Sequence, residues 1–264
     1  MRRGTASALT AFLAWSVFGA WGAQPVERVP LPESVFQREL QGGRLIEGRW
    51  LLLESSLTLL DLSTGAAAPF IQELPTDLGM PVYTLGRVGA DGFRYVLCGI
   101  QVPADRSSRT VAVLVRASAS GQPLTKWTFP LEVYDFDVDT DGTVYLAGPA
   151  EDGYGVHAYR QGRALWQAGK VDGTDLAVLK RGAWLRWFHV RAGQEDILFV
   201  FRDRGWRLDR SGNPRATWVF QGFGPEDFID QVVPQSDGGF LALVVRWVSP
   251  SDATPIPAET GDGR

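Results

Sequence analysis

The sequence predicts an all-β fold assembled from repeats of a four-stranded antiparallel sheet. Three observations carry this expectation. No segment sustains helical periodicity; apolar residues alternate, or form short runs bounded by Gly, Asp-Gly or Ser-Gly. Glycine-centred turns recur along the chain in two interleaved series. The composition suits a turn-rich β protein, with 30 Gly, 16 Pro and ten Trp in 264 residues, since aromatic side chains fit pleated surfaces.

The N-terminus reads as an address. Arg2 and Arg3 precede an apolar stretch from Ala6 to Trp21 that ends in Ala20-Trp21-Gly22. It is shorter than the roughly 20 residues a spanning helix needs, and it closes on a small-x-small cleavage pattern. Residues 1–22 are therefore expected to be a secretory signal peptide, with the mature protein secreted or periplasmic. Residues 23–39, "AQPVERVPLPESVFQRE", carry three prolines and read as a linker or first edge segment. No later segment has the length and apolarity of a membrane helix, so no membrane association is expected after cleavage.

The repeats follow. "SGQPLTKWTF" (120–129) and "SGNPRATWVF" (211–220) share Ser-Gly, Pro, Trp and Phe at the same spacing, and Thr recurs in both. "QGRALWQ" (161–167) is a shorter copy, and "TGAAAPFIQ" (64–72) places Phe70 where the others have an aromatic. Each copy is a strand, a glycine turn and a strand ending in an aromatic. The second series runs through Asp91-Gly92, Asp141-Gly142 and Asp237-Gly238, with looser members near Gly43 and Gly193. Asp-Gly is the pair that tight hairpins select, both central positions accepting positive φ. Interleaving the two series gives units of about 50 residues, each with two hairpins.

A four-stranded sheet repeated at that length is a propeller blade. Residues 40–248 are thus expected to form a β-propeller of about five blades, in a closed or incomplete ring. Its units are 40–72, 80–130, 131–170, 174–221 and a partial one at 228–248. A strand from residues 33–40, "ESVFQREL", is a candidate to complete the last blade and cover its edge. Residues 249–264 form a polar, Pro- and Gly-rich tail, expected to be disordered.

"DFDVDTDGTVYLAG" (135–148) resembles the blade core of NHL-type and other six-bladed propellers. The following "VHAYRQGRALWQAG" (156–169) resembles the strand–turn–strand of quinoprotein-type blades. The likeness implies the fold alone. The catalytic markers of enzymatic propellers have no matching residues here, and neither does a quinone site, so no cofactor is expected.

Several residue groups are candidate sites. Asp137, Asp139 and Asp141 run into Gly142 as D-x-D-x-D-G, the opening of many calcium loops. The completing ligands are missing: position 12 is Gly148 and position 9 is Tyr145. A β-strand ending in a hairpin is the better reading, with Asp135, Asp137 and Asp139 on one face and Phe136 and Val138 on the other. Like charges on one face call for a cationic neighbour, for which Arg160 and Arg163 are candidates. Asp137, Asp175 and Asp230 fall near inner strands of successive units, and acids gathered in a propeller funnel would suit a hydrolase or lyase. In "RGAWLRWFHVR" (181–191), Trp184, Arg186 and His189 form a candidate binding platform, aromatic and Arg side chains being enriched at interfaces. His157 and His189, the only two histidines, both lie within apolar strands. Cys98 is the single cysteine, which excludes an intrachain disulfide.

The net charge of −4, near −6 once the leader is removed, argues against nucleic acid. The expected function is a non-enzymatic binding scaffold that engages a protein, peptide or glycan on one ring face. The competing reading is the aspartate-dependent hydrolase or lyase.

Overall fold

A computed structural model describes residues 43–46, 50–54, 56–78, 81–104, 107–150, 153–171, 188–221, 227–234 and 240–246. The leader, the 23–39 segment with the 33–40 candidate strand, and the 249–264 tail lie outside the described residues. So do Asp175, Trp184 and Arg186. The described chain is all-β, with a single 3-10 turn at Thr76–Leu78 and no α-helix among those residues.

Four sheets have four strands each and a fifth has two, all antiparallel and ordered as the chain runs. The first contains β1 (Gly43–Ile46), β2 (Trp50–Leu53), β3 (Thr58–Asp61) and β4 (Ala67–Pro69). The second contains β5 (Pro81–Val88), β6 (Arg94–Ala104), β7 (Ser107–Ala117) and β8 (Pro123–Phe129). The third contains β9 (Asp135–Val138), β10 (Thr143–Ala150), β11 (Gly153–Arg160) and β12 (Arg163–Val171). The fourth contains β13 (Phe188–Ala192), β14 (Asp196–Phe201), β15 (Arg204–Asp209) and β16 (Pro214–Val219). The fifth pairs β17 (Asp227–Pro234) with β18 (Phe240–Arg246). Each sheet falls within one of the units read from the turn spacing, running past its ends by at most one residue.

Consecutive sheets bury their faces against each other, which is how a two-sided sheet removes both apolar surfaces from water. Leu52, Leu59 and Phe70 of the first meet Val96, Cys98, Val113 and Val115 of the second. Tyr95, Leu97 and Leu114 meet Phe136, Val144 and Leu146 of the third. Tyr145, Val156 and Ala158 meet Phe188, Val190 and Phe199 of the fourth. Leu198 and Val200 meet Ile229 and Val232 of the fifth. Burial from both sides makes the middle strands near-continuous apolar runs, as in "VAVLV" of β7. The first strands β5, β9, β13 and β17 lie side by side. Outer strands are the most exposed part of each sheet, β16 reading exposed at five of six positions.

Four hairpins share one geometry. At Gly89, Ser118, Asp139 and Asp209 the opening residue donates its N–H to the carbonyl four residues on. The glycine three residues on donates back to it, with φ of 80° at Gly92, 87° at Gly121, 77° at Gly142 and 84° at Gly212. Only the glycine takes positive φ; Asp91 and Asp141 do not. This corrects the expectation of two left-handed residues at each Asp-Gly: these are tight turns closed by a left-handed glycine bulge. The two-residue form occurs instead at Gln161-Gly162, with φ of 51° and 77°.

The aromatics that end the outer strands have a defined seat. The Trp127 indole lies against Gly162, and a Cβ there would fall 2.6 Å from the ring. Trp166 covers Gly212 in the same way, at 2.7 Å, and donates Nε1–H to the Arg210 carbonyl at 2.8 Å. At the first interface the Gly121 carbonyl accepts the Gln72 N–H at 2.9 Å, beside Phe70. The second and third sheets thus lay their outer Trp over the outer hairpin of the next sheet. Pro69 ends β4, while Pro123 and Pro214 begin β8 and β16. Proline offers no N–H to an incoming strand, which blunts these edges.

Close backbone approach within a sheet yields the first prediction. A Cβ on Gly99 would lie 2.1 Å from the Tyr83 ring. Gly99→Ala is expected to destabilise the fold by about 1–3 kcal/mol through overpacking. In a urea-denaturation double-mutant cycle, Tyr83→Ala is expected to absorb most of that loss.

Candidate functional site

The acidic stretch that starts at Asp135 sits where the second, third and fourth sheets meet. Alternation along β9 buries Phe136 and Val138 against the second sheet and turns the carboxylates towards the fourth. Asp135 Oδ2 accepts the Val190 N–H at 3.1 Å, and Asp137 Oδ2 accepts the Ala192 N–H at 2.9 Å. Carboxylates two residues apart on β9 therefore match amides two residues apart on β13.

Asp135 is also held by two arginines. Arg87 of β5 donates Nη2–H to Oδ1, and Arg191 of β13 donates Nη1–H to Oδ2 at 2.5 Å. All three side chains are at least nine-tenths buried. Arg87 reaches on to Glu54 Oε1 at 2.6 Å, and Arg191 Nε reaches the Val232 carbonyl at 3.1 Å. The two arginines hold equivalent places, each next to last in its strand and each bonded to the carbonyl of the residue before it. One connected network so links all five sheets. Burial alone would lower the Arg87 pKa, but Asp135 and Glu54 overcome it and hold it above the usual value. Burial also raises the Asp137 pKa, against the opposing pull of Arg191.

His189 belongs to this interior. It is 4% exposed, its Nε2 lies 2.7 Å from the Ile229 carbonyl, and its Nδ1 lies 3.9 Å from Asp135 Oδ2. That corrects its place in a surface binding platform: an alternating strand with both faces covered turns its polar residue inward. His157 is similarly engaged, Nε2 lying 2.7 Å from the Pro149 carbonyl. Of the three catalytic candidates, Asp137 has its oxygens occupied by the Val138 and Ala192 amides. Asp230 lies in β17, and Asp175 is outside the described residues.

The end of the acidic stretch does different work. Asp139 Oδ1 accepts the N–H groups of Asp141 and Thr143 at 3.1 and 2.9 Å, stapling its own turn. Its Oδ2 accepts the Tyr145 hydroxyl at 2.8 Å and the Arg210 guanidinium. Asp141 binds the Thr143 hydroxyl at 2.7 Å and pairs with Arg160. Asp137, Asp139 and Asp141 thus face three different partners rather than one centre. Among the described residues no three His, Cys, Asp or Glu side chains form a metal-ligand group. The compensation expected from Arg160 or Arg163 comes instead from Arg87, Arg191 and Arg210, and Arg160 serves Asp141 alone.

These groups line a cavity of about 170 Å³. Asp139, Thr143 and Tyr145 are its buried floor, Arg210 is a wall, and Thr140, Asp141, Arg160 and Leu165 stand exposed at its mouth. Burial raises the Asp139 pKa, whereas hydrogen bonding with Asp139 and Thr143 lowers that of Asp141. A larger open groove of about 470 Å³ runs beside β4, floored by Leu57 and Ile71. It gathers fewer charged groups, Glu73 alone. The hairpin cavity is therefore the candidate functional site.

Sequence reasoning singled out Asp139, Asp141 and Arg160 but missed Arg87, Arg191, Arg210 and Tyr145. A comparison with protein-family models finds no match, and a comparison with curated proteins finds none either. No helix among the described residues is long and apolar enough to cross a membrane.

Two predictions follow from these contacts. Asp135→Ala removes the carboxylate shared by two buried guanidinium groups, leaving Arg87 with Glu54 and Arg191 without its ion pair, and is expected to cost about 3–5 kcal/mol in denaturant unfolding. Burial, and then the bond to Asp139, push the Tyr145 hydroxyl up to about 12. The folded chain keeps this proton while the unfolded chain loses it, so stability is expected to fall as pH rises from about 10 to 12. Tyr145→Phe should reduce the slope of that part of the curve measured by urea unfolding, the raised Tyr83, Tyr95 and Tyr134 keeping the rest.

Proposed function

We propose that this is an exported β-propeller of about five blades that works by binding, not by chemistry, and that it engages a protein, peptide or glycan on one ring face. The observation that carries the reading is the contrast between its two charge clusters. The inner one is closed: the Asp135 and Asp137 carboxylates are occupied by guanidinium and backbone N–H donors. Donors of the protein itself already engage these carboxylates, which works against their taking a substrate proton. The outer one is open, with Asp141 and Arg160 half exposed at the mouth of a small polar cavity.

Three further features support the propeller. The sheets repeat at the spacing of the turns, they stack face to face in chain order, and their first strands run side by side. The last sheet has only its inner hairpin among the described residues, so a strand from elsewhere in the chain would complete the ring. The charged n-region and apolar run before Ala20-Trp21-Gly22 support export.

Small-angle scattering of the mature protein tests the ring. A compact closed chain of this length is expected near a radius of gyration of about 18 Å, whereas an open arc of sheets gives a distinctly larger value and defeats the propeller. Sequencing the N-terminus of the protein recovered from the medium or periplasm is expected to begin at residue 23. Retention of Arg2 and Arg3 in a membrane fraction defeats export.

A further inference from the structure

We infer that the hairpin cavity between the third and fourth sheets is a subsite for a single neutral sugar residue of a glycan. The inference rests on the binding reading above and narrows its ligand. Size comes first. About 170 Å³ holds on the order of six waters at ~30 Å³ each, and lies below the ~300–1,000 Å³ of drug-sized sites. The cavity takes one compact moiety, not an extended peptide.

Charge comes second. Two carboxylates, Asp139 and Asp141, face two guanidinium groups, Arg160 and Arg210, across this small space. The formal charges cancel, so an anion or a cation gains attraction from one pair member and equal repulsion from the other. A neutral ligand with neighbouring hydroxyls meets no such conflict. Each hydroxyl both donates and accepts, so it can donate to Asp141 Oδ2 and accept from Arg160. Hydrogen bonds to charged partners are the stronger kind.

Preorganisation comes third. Arg210 is tied to Asp139, to the Tyr145 hydroxyl at 3.1 Å, and to the carbonyls of Gly193 and Gln194 at 2.9 and 2.8 Å. Arg160 is held over Thr143 Oγ1 by Nε at 3.1 Å and Nη2 at 2.8 Å. Both arginines are braced by different strands, so little side-chain freedom is left to lose on binding. Leu165, 51% exposed, supplies an apolar patch at the mouth for the C–H face of a sugar ring. Asp141 and Arg160 are the specificity-determining pair, because they stand at the opening while Asp139 and Tyr145 support them from below.

The experiment is ligand-observed NMR on the mature protein. The probes are the methyl glycosides of glucose, galactose, mannose and N-acetylglucosamine, with sodium acetate and methylguanidinium chloride as charged probes. At least one glycoside is expected to bind. Asp141→Asn and Arg160→Met are each expected to weaken it about tenfold or more, the loss of one charge-assisted hydrogen bond. Leu124→Ser, on the exposed edge of β8, is expected to leave binding unchanged. Because Asp141 and Arg160 are half exposed, both variants should keep the parent melting temperature within a few degrees, which separates lost binding from lost folding. No binding by any glycoside, or binding undiminished in both variants, overturns the inference. Acetate or methylguanidinium binding that depends on Asp141 and Arg160, with no glycoside bound, overturns the sugar and leaves the binding reading standing. Release of methanol from a bound glycoside overturns the non-enzymatic reading and leaves the sugar site.

Discussion

Everything in this structure is organised about one buried carboxylate. Asp135 lies between Arg87 of the sheet before it and Arg191 of the sheet after it, and takes a backbone N–H from β13 as well. Apolar stacking alone would hold consecutive sheets together, but it is non-directional and tolerates sliding. The carboxylate permits one register, because both oxygens must meet donors from two different sheets. Such a pair need not add net stability, since desolvating the charges offsets much of the attraction. Its value lies in specifying which strand faces which.

The same economy explains the four aspartates that alternate from Asp135 to Asp141. They are one strand's worth of polar residues spent on three separate tasks. Asp135 and Asp137 bridge to β13, Asp139 closes its turn and anchors Arg210, and Asp141 stands at the cavity mouth beside Arg160. A strand at the centre of several sheets has few free faces, so its polar side chains must meet donors from neighbours. Asp135 and Asp139 draw their bases from neighbouring sheets, Arg87, Arg191 and Arg210, whereas Asp141 pairs with Arg160 of its own sheet.

Much of this architecture was legible before any coordinates. Turn glycines at regular spacing gave the sheets and their boundaries, because a left-handed glycine is required wherever these hairpins close. The aromatics that end the outer strands were legible as a repeated feature for the same reason. The ion network was not, because alternation along a strand reveals which face a residue takes but not what lies across from it. Arg87 and Arg191 are 48 and 56 residues from Asp135. A signal did exist: "GRVGADG", "FDVDTDG" and "VRAGQED" align on their turns, placing Arg87, Asp137 and Arg191 at one position with alternating sign. His189 was misplaced because its neighbours Trp184 and Arg186 suggested a surface, whereas β13 is covered on both sides. Nor does the strand pattern show that Asp137 accepts the Ala192 N–H from β13.

The seating of two outer tryptophans on the following hairpins has a kinetic consequence. Trp127 waits for Gly162, and Trp166 waits for Gly212. Each docking partner lies only a few dozen residues further along the chain. Contacts of such modest sequence separation close quickly, so neighbouring sheets dock pairwise once their hairpins have formed. The last described hairpin leaves Val233 of β17 and Val244 of β18 exposed.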